Sequence, residues 1–297
     1  MFRGILVGLL LCLVISGNPG ARAENPALHI DLPQHVVLGD PFFVRIASPV
    51  RFSTVQITWL GNAFSVPLTS DGQTFAVRLL LGTDVKHHAP GRKTLRVRVE
   101  KYGIARTQDA VIRVGNRQAP VQRLTVSKGM VTLSRAALAR HQREKKAVHT
   151  VLHRVSPEKL WTCPFQRPAD GGVSSAYGLK RVLNNKPRSP HRGLDIRSGD
   201  QAPVVAANAG VVALTGNHFF AGQSVYIDHG QGVVSMYFHL SSIAVRRGQR
   251  LAKGDLLGRT GSTGRSTGPH LHFGISLHGA LVDPVPLMQQ EACPQGL

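Results

Sequence analysis

The chain has 297 residues, 42% hydrophobic but only 6% aromatic, and its 36 Lys and Arg against 16 Asp and Glu give a formal charge of +20. Such a basic balance implies a polyanionic partner or surface. The scarcity of aromatics and the absence of basic motifs interleaved with them argue against nucleic acid, and the length accommodates two domains of ordinary size.

Met1-Phe2-Arg3 starts the chain, an apolar run extends from Ile5 to Ile15, and Ala21-Arg22-Ala23 closes it. A charged start, a short apolar core and a small-x-small end describe a secretory leader over residues 1–23, cleaved after Ala23. The run is short for a membrane span, an uncleaved anchor being the alternative, and no later apolar run is long enough to span a bilayer. Loss of Arg3 and Arg22 with the leader removes two positive charges and no negative one, lowering +20 to +18. Export places the protein in the periplasm or cell envelope, where anionic envelope polymers suit its charge. Cys12 leaves with the leader, and Cys163 and Cys293 remain. An even pair in an exported chain suggests a disulfide from the start of the second domain to the tail.

Residues 24–118 read as an Ig-like β-sandwich. Short alternating runs (FFVRIA, VQITWL, FAVRLLL, LRVRVE) are separated by turn signals such as Ser70-Asp71-Gly72 and Pro90-Gly91. No catalytic constellation is visible there, and the adjacent His87 and His88 read as loop residues. Residues 119–159 form a basic linker and an amphipathic helix, with Ser134 as N-cap and Leu138, Val148, Val151, Leu152 and Val155 near helical spacing. His149 and His153 are i,i+4 but have no third ligand nearby, and they read as solvated, like His141. From residue 160 to 297 glycine becomes dense and short β-like runs return, which predicts an antiparallel β-domain. The fold class is therefore mainly β.

Three stretches of this last region could carry chemistry. In HRGLD, His191 and Asp195 are four apart and share a face in a helix or a strand. In GPHLHFGI, His270 and His272 are two apart and point the same way in a strand. A catalytic zinc site needs three protein ligands and an open position. His191 and Asp195 supply two, and either histidine of the HxH supplies the third while its neighbour stays free for acid–base work. In MYFHL, His239 ends an apolar run as a buried structural residue or a second catalytic histidine. There is no HExxH helix and no phosphate loop.

Together and in this order, HRGLD, MYFHL and TGRSTGPHLHFGI resemble the lysostaphin/LytM-type zinc metallopeptidases, which include bacterial peptidoglycan DD-endopeptidases. SSAYGLKR is similar to the family's opening Ser-x-Phe-Gly-x-Arg segment, and the likeness extends from about Trp161 to Met288. The resemblance implies one Zn2+ per chain held by His191, Asp195 and His272, with His239 and His270 assisting catalysis and peptidoglycan as substrate. It does not choose which of the two is the base. Tyr177 stands where Phe is usual, Gln223 where Asn often follows Gly, and Lys180-Arg181 displaces the motif's Arg; none is expected to touch the ligand set. His229 in IDHG reads as structural, and His218 and His278 as surface residues. A rival reading is a catalytically silent envelope adaptor that binds and regulates another murein hydrolase; relatives of that kind usually lack zinc ligands, all of which this chain retains.

Overall fold

The computed structural model describes residues 28–70, 72–125 and 133–289. The leader expected at residues 1–23 and Cys293 lie outside them. Two sheets face each other in the N-terminal part. One orders the strands His29–Asp31, Pro41–Ser48, Phe75–Gly82 and Thr69–Ser70; the other orders His35–Val37, Ile104–Gly115, Gly91–Lys101, Thr54–Trp59 and Asn62–Ser65. Period-2 alternation buries Val44 and Ile46 from one sheet against Ile57, Val97 and Ile112 from the other, while Arg96 and Arg98 point outward. All pairings are antiparallel except His35–Val37, which runs parallel to Ile104–Gly115.

The linker is more ordered than a connector needs to be. Val121–Leu124 forms a strand that pairs in parallel with Lys180–Leu183, and so belongs to the second half of the molecule. The helix follows at Arg135–Leu152, capped by Ser134, whose hydroxyl accepts the amide of Ala137 at 3.2 Å. Its C-terminal turns supply Val148, Val151 and Leu152 to a cluster with Tyr226, Val234, Met236 and Leu281.

The C-terminal part is a ten-stranded sheet whose central path runs through Leu194–Arg197, Leu271–Leu277, Val233–Ile243, Gly222–Asp228 and Gly210–His218. Its strands read as nearly continuous apolar runs because both faces are covered. Tyr226, Val234 and Met236 face the helix. Their neighbours Val225, Ile227, Val233 and Tyr237 face the opposite core with Trp161, Phe165 and Phe273.

The sandwich is joined firmly to this sheet. Its Leu80 sits in the C-terminal core, with Phe43 packed against it. Arg117 bridges Asp40 and Asp283. Asp84, 1% exposed, accepts Arg192 Nη1 at 3.1 Å and the amides of Lys86 and Leu281. His278 corrects the surface expectation: it is buried and stacks on Phe64 of the sandwich, with centroids 3.8 Å apart. A ring with an apolar face can close an interface that sequence spacing does not reveal.

Candidate metal centre

Strand register assembles the centre. Asp195 lies directly opposite His272 across the antiparallel pair of Leu194–Arg197 and Leu271–Leu277, so both side chains leave the same face. His191 reaches this face from the loop before. The approach is tight: a Cβ on Gly193 would fall 2.5 Å from His272 Nε2 and 2.6 Å from the carbonyl oxygen of Phe273. Glycine is required there by space rather than by backbone angle.

His191, Asp195 and His272 offer ligand atoms that all lie within 4.8 Å of one another. Asp195 Oδ1 is 2.7 Å from His272 Nδ1 and 3.0 Å from His191 Nε2. The latter nitrogen is also 3.0 Å from His272 Nδ1. His191 Nδ1 donates to the carbonyl of Ala176 at 2.9 Å, which fixes the tautomer and turns the Nε2 lone pair toward the cluster. Burial alone would raise the Asp195 carboxyl pKa; the His191 and His272 imidazoles against it outweigh that and hold the group well below the usual carboxylate range. Burial likewise pushes His272 down to about 4 despite the Asp195 carboxylate beside it, so the imidazole is neutral at pH 7. Two imidazoles and one carboxylate whose ligand atoms converge on one point are a donor set that fits a zinc ion.

The other two histidines stand beside this cluster. His239 and His270 have ring centroids 4.8 Å apart, and His239 is 6.1 Å from His272. Each hydrogen-bonds through Nδ1 to a backbone carbonyl at 2.8 Å, His239 to Thr263 and His270 to Gly268. That leaves both Nε2 atoms as proton acceptors. His239 has φ 64°, the left-handed region, at a register irregularity in its strand. Burial, then repulsion from His272 and His270, pushes its pKa down to about 3. His229 is held inside by the carbonyl of Ala209 and the hydroxyl of Ser235, away from this group.

One expectation about the opening segment is overturned. Arg181 does touch the ligand set: its Nη2 donates to Asp195 Oδ2 at 2.7 Å. The carboxylate is thereby held at both oxygens, one toward the histidines and one toward the guanidinium. The sequence carried a signal for this, a basic residue just after Tyr177-Gly178, but displacement by one position disguised it. Tyr177 has a reason of its own: its hydroxyl donates to the carbonyl of Leu281 at 2.6 Å and accepts the amide of Val85 from the sandwich.

The centre opens into two recesses that share Arg181, Leu183, His239 and Arg265. One, of about 450 Å³, runs past Gln122, Ser174 and His270. The other, of about 790 Å³, runs between the helix and the sandwich loop carrying Lys86, His87 and His88. The sandwich therefore lines the cleft.

Residues 189–284 match Peptidase family M23. This stretch is an M23 peptidase domain. It contains His191, Asp195, His239, His270 and His272, and it agrees with the resemblance drawn from the motifs. The chain is 40% identical over 123 residues to the peptidoglycan DD-endopeptidase ShyA of Vibrio cholerae, covering 40% of this chain and 29% of that protein. It is 40% identical over 113 residues to the DD-carboxypeptidase/endopeptidase Mpg of Neisseria meningitidis, covering 38% and 26%. The chain thus spans about a quarter to a third of the length of these curated relatives. A crystal structure of a Pseudomonas aeruginosa chain assigned to peptidase M23 superposes with a TM-score of 0.64 at 28% identity, over 85% of this chain and 94% of that one. That likeness extends well beyond the M23 domain into the N-terminal half.

Proposed function

We propose that this protein is an exported zinc metalloendopeptidase that hydrolyses peptide cross-links in peptidoglycan. The observation that carries the reading is the pairing of a His–Asp–His donor set with two histidines beside it, each anchored through Nδ1 on a backbone carbonyl, in an open cleft. Relatives named for peptidoglycan endopeptidase activity support the substrate.

His191, Asp195 and His272 would hold one Zn2+. When bound, the ion supplies Lewis-acid polarisation of a carbonyl and acidification of water. The chain's own residues do the rest. Asp195, ionised and fixed by Arg181, brings a negative charge that partly neutralises the cation. His239 and His270 take up and return the proton at Nε2, since each Nδ1 is committed to a carbonyl. Once charged, the imidazole that holds the proton stabilises negative charge developing on the substrate oxygen. The paired recesses receive the chain on either side of the scissile bond.

Export to the envelope, anionic envelope polymers as additional contacts, and the Cys163–Cys293 disulfide belong to the same proposal. Among the described residues, no helix is long and apolar enough to cross a membrane. The test is zinc content of the purified chain together with mass spectrometry of products released from purified peptidoglycan. Stoichiometric zinc and new muropeptides with a cut cross-link are expected. A zinc-loaded chain that releases nothing, yet stimulates another murein hydrolase, would make it an adaptor.

A further inference from the structure

Gln122 belongs to the linker strand, outside the stretch that matches the M23 family, yet it sits two contacts from the metal carboxylate. It lies directly opposite Arg181 in the parallel pairing of Val121–Leu124 with Lys180–Leu183. Its Oε1 accepts Arg181 Nε at 3.2 Å, and its Nε2 donates to Ser175 Oγ at 2.7 Å. Ser175 in turn pairs with Asp195 across the antiparallel ladder, and Arg181 Nη2 reaches Asp195 Oδ2. These contacts close a ring: Gln122 to Arg181 to Asp195, and back through the strand to Ser175.

The ring has a physical consequence. A guanidinium can swing about its last torsions, and Arg181 is positively charged beside a site meant for a cation. Only a fixed orientation keeps its Nη2 on Oδ2 while Oδ1 faces the two histidines. The Nε–H bond to Gln122 locks the plane of the fork, and Ser175 locks the Gln122 amide in the direction that presents its oxygen. The side chain is half-buried, so the guanidinium it orients is partly shielded from water.

We infer that Gln122 is a positioning residue for the metal centre, through which the linker strand sets the orientation of the ligand Asp195. The inference rests on the zinc reading above. Partners one shell beyond metal ligands typically change affinity by about 10–100-fold, and one contact further out the effect is smaller.

The test measures Zn2+ affinity of the full chain by chelator competition, alongside kcat and KM on a cross-linked peptide. Arg181→Ala is expected to weaken Zn2+ binding by about 10–100-fold and Gln122→Ala by about 3–10-fold. For Gln122→Ala, kcat falls and KM is unchanged. Gln122→Glu keeps an acceptor for Arg181 Nε, with the Ser175 hydroxyl now donating to it, and retains affinity within about twofold. If Gln122→Ala folds poorly by thermal melting, Ser175→Ala removes the amide's anchor and gives a smaller loss in the same direction. Unchanged Zn2+ affinity in Gln122→Ala with a raised KM would overturn the inference and make Gln122 a substrate contact. A loss in Gln122→Glu as large as in Gln122→Ala would overturn it too. A wild-type chain that binds no Zn2+ defeats the zinc reading itself, a distinguishable result.

Discussion

Replacing Gly193 by alanine tests how tightly the centre is built. The added Cβ would meet His272 Nε2 at 2.5 Å, His272 Cε1 at 2.6 Å and the carbonyl oxygen of Phe273 at 2.6 Å. Ordinary contact begins near 3.4 Å, so something must move by roughly 0.8–0.9 Å. Neither neighbour gives easily. Phe273 is paired with both Leu194 and Tyr237 in the ladder. The His272 ring is held by Asp195 on one nitrogen and stacks on Phe238 with planes 10° apart. The strain falls on His272 or on the loop carrying His191, and a ligand displaced by about 1 Å can cost on the order of 100-fold in rate. We expect Gly193→Ala to weaken Zn2+ binding by about 10–100-fold and to lower stability by about 1–3 kcal/mol, as overpacking does. Chelator competition and urea denaturation measure the two. Gly172→Ala, whose Cβ meets nothing within 4 Å, is the control and stays at wild-type values. If Gly193→Ala binds Zn2+ within twofold of wild type and cleaves peptidoglycan normally, the account of a rigid, space-limited centre is wrong.

Other expectations follow from named contacts. His239→Ala retains stoichiometric zinc by elemental analysis but loses about 100- to 10,000-fold in kcat, the range of general acid–base assistance; loss of zinc instead would place His239 among the ligands. Asp84→Ala leaves Arg192 and the amides of Lys86 and Leu281 without their acceptor, and denaturation should register a loss of about 2–4 kcal/mol. His229 and His278, both away from the metal ligands, are each pushed down by burial to about 4. The unfolded chain takes those protons near pH 6.5 and the folded chain resists until about 4, so stability is full above pH 6.5 and falls as pH drops from 6.5 to 4. Each histidine contributes on the order of 3 kcal/mol to that fall. His278→Phe should flatten the decline measured by denaturation between pH 7 and pH 4; an unaltered slope would show that His278 is protonated without cost.

Much of this protein is legible in its sequence, because three signals are local. Period-2 alternation in FFVRIAS and LRVRVE marks the sandwich strands, since every second side chain must meet the facing sheet. Ser134 marks the helix start because its hydroxyl is chemically suited to an orphan amide. The HRGLD and HLH spacings announce a donor set because strand geometry sends i and i+2 to one face. What the sequence alone determined is therefore the set of elements and the candidate ligands. Only the tertiary structure decided the rest, for reasons of register and space. The pairing of Asp195 with His272, 77 residues apart, depends on which strands become neighbours. Arg181 joins the carboxylate, and Gln122, which composition places in the linker, joins Arg181 across a parallel strand pair. His278 is buried because Phe64, 214 residues upstream, covers it. Long-range partners leave no periodic trace in a single chain, so the supports of the centre become visible only when the sheets close around it.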